Sequence, residues 1–248
     1  MMVFDVAANE LRRMFLSPLA WIVLGIAQFL LAFFFIFMLT RFMDPGAWNA
    51  GRGLTETVVA GTFQIAGIVL LMLAPFLTMR LFSEELRAGT IQLLLSSPAT
   101  LTELVLGKFL GVTAFMLCML AMITLMPLSL SFGTSLDLGQ LGACVFGLAL
   151  LLTAFAAIGL FISTLTAQPV VAAVASFAVL FVLWIIHIGG QSGNEKVAAV
   201  LTWLSMQRHF ENLVDGLFSS VDVVYYLLLI ITCLCLGIWR LEAMRTHQ

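Results

Sequence analysis

The stretch RLFSEELRAGTIQLLLSSPATLTELVLGKFL, from Arg80 to Leu110, decides the fold that we expect for this chain. Long uncharged apolar segments adjoin it on both sides, whereas the stretch itself carries the charged residues Arg80, Glu84, Glu85, Arg87, Glu103 and Lys108. A polar segment held between two apolar segments of membrane-spanning length cannot easily fold by itself. We therefore predict a short cytoplasmic helix and turn that a partner protein binds.

The composition of the chain indicates a membrane protein. Of its 248 residues 62% are hydrophobic and only 10% are charged, and the mean hydropathy is +1.13. Soluble domains average roughly 25% charged residues, and a soluble protein of this size could not bury so much apolar surface. The net charge of −2, without a basic stripe in the sequence, argues against nucleic acid as a partner.

The uncharged apolar segments predict six membrane-spanning helices in a single domain that covers residues 1–248. About 20 helical residues cross a hydrocarbon core of roughly 30 Å. The uncharged segment 138–194 is long enough for two crossings, and Pro169 marks the turn between them because proline fits the first turn of a new helix. The predicted class is an all-α polytopic membrane protein, with spans at about 19–39, 58–79, 108–130, 141–165, 169–188 and 223–240.

The distribution of basic residues predicts the orientation in the membrane. Six spans place both termini on one side, which would carry seven basic residues, namely Arg12, Arg13, Arg80, Arg87, Lys108, Arg240 and Arg245. The other side would carry four, namely Arg41, Arg52, Lys196 and Arg208. By the positive-inside rule we predict a multi-pass protein of the bacterial inner (cytoplasmic) membrane whose N- and C-termini are cytoplasmic.

Short amphipathic segments are predicted outside the spans. In the segment Phe4–Pro18 the apolar residues share one helical face, while Glu10, Arg12 and Arg13 lie elsewhere. This pattern predicts an interfacial helix that lies on the cytoplasmic membrane surface, contacts lipid and ends at its final proline. The outer segment 195–222 also mixes apolar and polar residues and predicts one or two short amphipathic helices.

The first half of the charged stretch predicts a helix over residues 80–95, interrupted at Gly89-Thr90 by a flexible joint or a close backbone approach. Leu86 and Leu94 belong to its apolar contacts. Its charged side chains should point to water; they are Glu84, Glu85 and Arg87. The alternative is an ordinary juxtamembrane loop, but such a loop needs neither a glycine joint nor a defined end.

The second half of the stretch predicts the start of the third span. Pro98 ends the preceding helix because proline lacks an N–H, and Thr100 or Thr102 can cap the next helix. Gly107 and Gly111 then form a GxxxG pair, and the small surface of such a pair lets another helix pack closely.

The sequence offers little catalytic chemistry. It contains no GxxxxGK[ST] motif, and the pair Gly107-Lys108 is not followed by Ser or Thr. His187, His209 and His247 are far apart in the sequence, so a zinc site is not predicted. The four cysteines lie in apolar segments, where cysteine usually packs as a small hydrophobic residue. We expect no enzyme activity, metal or cofactor in this chain itself.

The residues between the second and third predicted spans follow a recognisable order: Glu85, Gly89-Thr90, Leu93-Leu94-Leu95, Pro98 and Gly107-Lys108. In this order the chain resembles the ABC-2-type permeases of ATP-binding-cassette transporters, and among them the GldF-like gliding-motility-associated and NosY-like permeases. The six-span layout is similar throughout, whereas the specific motif occupies about 30 residues. The N-terminal stretch Glu10–Pro18 also resembles the surface helix that precedes the family's first span.

The resemblance implies a permease subunit that separate ATPase subunits drive, with ATP and Mg bound on those partners. Transport would be export, and a second permease copy or a related permease would complete the pathway. A Gld-type auxiliary membrane protein is implied as a further partner. The residues expected to couple the permease to the ATPase are Arg80, Glu84, Glu85, Leu86, Arg87, Gly89, Thr90, Leu94 and Pro98.

Two other classes of function are open at this point. A membrane scaffold would anchor partner proteins without moving anything, and an intramembrane enzyme would need paired catalytic groups that the sequence lacks. A neighbouring ATPase gene, or an ATPase whose turnover changes in the presence of this chain, separates the transporter from the scaffold. Family members with a large outer domain carry it between the first two spans, where this chain has only residues 41–56, so functions of that domain are not expected.

Overall fold

The computed structural model describes residues 2–44, 53–90, 100–133, 136–191 and 195–246. Within these ranges the regular secondary structure is entirely helical. Six helical stretches of the described chain are long and apolar enough to cross a membrane. The predicted class, an all-α polytopic membrane protein with six spans, is thereby confirmed.

Ten α-helices in the described residues carry the labels used below. Those of the first half are α1 (Met2–Leu16), α2 (Pro18–Met43), α3 (Ala60–Thr78), α4 (Ser83–Ala88) and α5 (Leu101–Ser129). Those of the second half are α6 (Leu138–Ser163), α7 (Pro169–Ile185), α8 (Glu195–Leu204), α9 (Met206–Val214) and α10 (Ser220–Thr246). The spans contain α2, α3, α5, α6, α7 and α10.

Local sequence signals set several helix ends. Pro18 and Pro169 lie in the first turns of α2 and α7, where a missing N–H leaves no bond unmade. Thr100 caps α5: its hydroxyl accepts from the Glu103 N–H at 3.2 Å, and the Glu103 carboxylate accepts from the Thr100 N–H at 3.0 Å. The predictions at Pro169 and Thr100 are confirmed. The prediction that Pro18 ends the N-terminal helix is also confirmed, because α1 stops at Leu16 and Pro18 begins the next helix.

The core of the bundle is built around α6, which contacts α3, α5, α7, α9 and α10. Small residues on α6, among them Ala154, Ala157 and Gly159, are fully buried and let neighbouring helices approach closely. We compared the buried share of an apolar 18-residue stretch in each span. It is 67% in α6 but only 28% in α2 and in α7. Helices α2 and α7 therefore keep broad apolar faces for lipid or for another subunit.

The two ends of the bundle differ. One end, called the α1 end below, contains α1, α4, the start of α5 and the last turns of α10. The opposite end, called the far end, contains α8, α9 and the start of α10. The predicted pair of short amphipathic helices in the outer segment corresponds to α8 and α9.

Candidate functional site

At the α1 end, α1 packs directly on the first turns of α5. A Cβ atom on Gly107 would lie 2.6 Å from the Cβ of Val6, and one on Gly111 would lie 2.8 Å from the Cβ of Glu10. These separations are shorter than real Cβ contacts, so only glycine permits this approach. The structure thus brings the two glycines of the GxxxG pair and the N-terminal helix together. The prediction for Glu10 is corrected, because its side chain lies on the face of α1 that meets α5 and not away from the packing face.

The helix α4 is a short element fixed at both ends. It follows the turn at residues 79–82, and the Ser83 hydroxyl donates to the Met79 carbonyl. Gly89 ends it with φ of +69°, a left-handed conformation that glycine adopts without strain and that stops a right-handed helix. The predicted helix over 80–95 begins too early, because residues 80–82 form a turn and α4 starts at Ser83, whereas the predicted interruption at Gly89-Thr90 is confirmed. Residues 91–95 lie outside the described residues. Leu94 and Pro98 lie outside the described residues.

Glu84 joins α4 to α1 and to the end of the second span. Its carboxylate accepts a hydrogen bond from the Arg13 guanidinium at 2.6 Å and lies 3.2 Å from Nε of Arg80. Arg13 also lies 4.0 Å from the Glu10 carboxylate. Because the side chains of Glu84, Arg13 and Arg80 are one third to one half exposed, each pair contributes only about 0–1 kcal/mol by itself. Their value lies in fixing the direction of α4.

A buried lysine forms the centre of this end of the molecule. Lys108 has only 3% of its side chain exposed, and its ammonium group donates to the Glu85 carboxylate and to the Leu81 carbonyl. The same group lies 4.0 Å from the Glu10 carboxylate and 4.7 Å from the centre of the Phe82 ring. One cation thereby holds α1, α4 and α5 together, and removing one partner of such a buried pair costs about 3–5 kcal/mol.

The prediction that Glu85 points to water is corrected by this pair, because its carboxylate faces Lys108. The sequence analysis did not predict Lys108 as a site residue, although it is one of the charged residues of the stretch 80–110. The available signal was a lysine between two glycines of close-packing spacing, in a helix whose other charged residue is Glu103 in the first turn. Such a cation must find an acidic partner when it is buried.

The outward side of α4 remains free of these contacts. Arg87, Gly89 and Thr90 are exposed, and Leu86 is half-buried against the core. Arg12 of α1 is exposed as well, on the same end of the molecule. We call Arg12, Leu86, Arg87, Gly89 and Thr90 the exposed platform. The predicted coupling residues therefore divide into inner ones, which hold the helix in place, and outer ones, which present a surface.

A second polar cluster lies at the far end. His209 of α9 and Asp222 of α10 are buried and in contact, although the sequence analysis treated His209 as isolated. Among the described residues no group of three or more His, Cys, Asp or Glu side chains is arranged to hold a metal ion.

A family model described as an ABC-2 family transporter protein matches residues 6–245, nearly the whole chain. This chain belongs to the ABC-2 transporter family. Together with six membrane-spanning helices, that membership makes it a multi-pass membrane permease of an ABC transporter, the transmembrane component and not the ATPase itself. The comparison with curated proteins gave no match. The finer resemblance of this ABC-2 permease to GldF-like and NosY-like proteins stays a prediction.

Proposed function

We propose that this ABC-2 permease is the membrane subunit of an exporter, and that separate ATPase subunits dock on its exposed platform. The observation that carries the proposal is the division of α4 into an anchored inner side and an exposed outer side. Glu84 and Glu85 tie the helix to α1 and α5, while Arg87 and Thr90 face outward. A surface of this kind suits a groove on a partner protein.

The inner contacts make α4 a mechanical link to the spans. The Lys108–Glu85 pair joins it to α5, the Arg13–Glu84 pair joins it to α1, and the turn at residues 79–82 joins it to α3. A partner that moves α4 therefore moves α1 and the inner ends of the second and third spans with it. Binding of ATP and Mg by the partner subunits would supply the force for that movement.

Pro75 provides a place in the second span where such a movement is absorbed. It lies inside α3, one turn before the helix ends, and lacks the N–H that would bond to the preceding turn. The missing N–H is the one that would bond to the Leu71 carbonyl, so the helix lacks a backbone hydrogen bond at this point. The lower turn of α3 can thus change direction at the cost of few backbone hydrogen bonds.

A second permease copy fits the apolar faces that the spans leave exposed. Helices α2 and α7 are the least covered spans, with only 28% of their apolar windows buried. The seven-to-four excess of basic residues favours an α1 end that faces the cytoplasm, where an ATPase with ATP is available. The protein would then be placed in the bacterial inner membrane with both termini inside.

The experiment is charge reversal on the platform with a matched control. We expect Arg87→Glu to reduce co-purification of the ATPase and to reduce its permease-stimulated ATP turnover. One exposed charge pair contributes about 0.2–1 kcal/mol, so the loss in affinity should be a few-fold or more when attraction becomes repulsion. Arg208→Glu changes an exposed arginine at the far end in the same way and should leave both readouts at the wild-type level.

Two outcomes would overturn the proposal. Equal behaviour of the two variants would remove the platform as the docking surface. An ATPase that binds with wild-type affinity but never changes its turnover in the presence of this permease would favour the scaffold function instead.

A further inference from the structure

The far end contains a buried histidine between two hydrogen-bond acceptors. Nδ1 of His209 lies 2.5 Å from a carboxylate oxygen of Asp222, and Nε2 lies 2.8 Å from the Trp203 carbonyl oxygen. The two side chains are 7% and 3% exposed, respectively. The Tyr225 ring stacks on the imidazole at 4.2 Å, and the Asn212 amide lies 3.4 Å from both Asp222 oxygens. The contacts connect α9 to α10 and to the end of α8.

The number of protons in this arrangement follows from its geometry. Each of the two short contacts of the imidazole needs one hydrogen, since a carboxylate oxygen and a carbonyl oxygen are both acceptors. A neutral imidazole beside an ionised carboxylate has only one hydrogen to share. The closed arrangement therefore holds one more proton, on the ring or on the carboxyl group, and the pair then carries no net charge.

Burial of His209 and Asp222 also favours the state of the pair that holds the extra proton. Loss of the extra proton would leave a net negative charge in a buried site. It would also leave two acceptors facing each other across one of the contacts. Both effects destabilise the arrangement. We propose that His209 and Asp222 form a proton-dependent latch that closes the outer helices α8 and α9 onto the last span. The latch is closed at low pH and is lost as the pH rises.

The other titratable side chains described around the pair have different partners or are exposed. On α10, the hydroxyls of Tyr225 and Tyr226 donate to the carbonyls of Leu204 and Met206 at 2.7 and 2.8 Å. On α6, the Cys144 thiol lies 3.4 Å from the Val214 carbonyl. Helices α3 and α7 contain no titratable residue, and His187 beyond α7 faces Ser205 and the Trp184 carbonyl. On α9 itself, Arg208 is exposed and Glu211 accepts from Gln207 at 2.7 Å.

The test measures the position of α9 with nitroxide spin labels. Their signal does not itself depend on pH, unlike thiol labelling or amide exchange. Nitroxide labels at Arg208→Cys and Leu138→Cys, both at exposed positions, report the separation of α9 from the start of α6 by pulsed electron paramagnetic resonance. The full chain in lipid nanodiscs is used after replacement of its four native cysteines. We expect a narrow distance distribution at about pH 5.5 that shifts to longer distances by about pH 9, because both contacts of the ring form only while the pair holds its extra proton.

Three variants make the result specific. Asp222→Asn should stay closed at both pH values, because an amide N–H can donate to Nδ1 while the neutral ring donates from Nε2. His209→Ala loses both contacts and should show the longer distances at both pH values. Glu211→Gln is the matched control, an acid-to-amide change on the same helix outside the latch, and should keep the wild-type shift with pH.

The proposal fails if the wild-type distances do not change with pH. It also fails if Asp222→Asn shows the same shift as the wild type, because the proton would then reside elsewhere.

Discussion

Lys108 is the residue on which the α1 end depends most. Lys108→Met leaves the Glu85 carboxylate without its cation in a largely buried position, and we expect a loss of about 3–5 kcal/mol in the free energy of unfolding. Glu85→Gln with Lys108→Met removes both charges and should recover a large part of that loss. Chemical unfolding in detergent measures the free energy of unfolding of the two single variants and the double variant. Arg80→Met is the control, because it removes an exposed ion pair and should lower that free energy by no more than about 1 kcal/mol. Additive effects of the two changes would contradict the pairing.

Gly107 gives a second prediction at the residue scale. Gly107→Leu places a side chain where Val6 and the Val3 carbonyl lie, so α1 must move away from α5. We expect a destabilisation of about 1–3 kcal/mol, typical of overpacking, and faster proteolysis within α1. Gly142→Leu is the control, because a Cβ at that glycine meets nothing within 4 Å. Equal protease resistance of both variants would rule out the close approach of α1.

The sequence could predict the small surface of Gly107 and Gly111 but not which helix fills it. An amphipathic pattern such as that of α1 states that one face is apolar, not whether lipid or protein covers it. The partners of Glu84 and Lys108 were equally hidden, since Arg13 lies 71 positions from Glu84 and Glu85 lies 23 positions from Lys108. Long-range ion pairs leave no periodic signal in a single sequence.

At the scale of elements, a substitution at the end of α4 should change the stimulation of the ATPase without changing the fold of the spans. Gly89 has φ of +69°, and a Cβ there would meet nothing within 4 Å among the described residues. Gly89→Val should therefore strain only the end of α4, leave insertion and the spans intact, and reduce ATPase stimulation. Gly89→Asn tolerates a left-handed conformation better and should retain more stimulation. Permease-stimulated ATP turnover is measured for both variants at matched expression. Equal turnover of Gly89→Val, Gly89→Asn and the wild type would show that this turn is not needed for coupling.

The spans were the elements that the sequence predicted best, because uncharged apolar segments of about 20 residues are typical of membrane-spanning helices. Thr100 and Pro169 marked their helix starts correctly, through side-chain capping and a missing N–H. Between Arg80 and Thr90 the prediction was poorer. The interruption at Gly89 was predicted correctly, but the helix starts at Ser83 and not at Arg80, and the partners of Glu84 and Glu85 were not predicted.

At the scale of the whole molecule, the orientation is the first prediction. Single cysteines at Arg245 and Gly53, both exposed, should react with a membrane-impermeant reagent from opposite sides of the membrane. The native cysteines are replaced beforehand, since Cys118 and Cys235 are exposed. We expect Arg245→Cys to be labelled only after the membrane is opened and Gly53→Cys to be labelled in intact cells. Labelling of both from the same side would contradict six spans with cytoplasmic termini.

Docking of a separate ATPase on the exposed platform is the central claim, and site-specific photo-crosslinking tests it most directly. A photoreactive amino acid replaces Arg87 at the α1 end in one sample and Arg208 at the far end in another, and each permease is expressed with its candidate ATPase. We expect a covalent permease–ATPase product from position 87 that increases or decreases with ATP, and none from position 208. Absence of the product at position 87 in a co-purifying complex, or equal yields at both positions, would contradict the account.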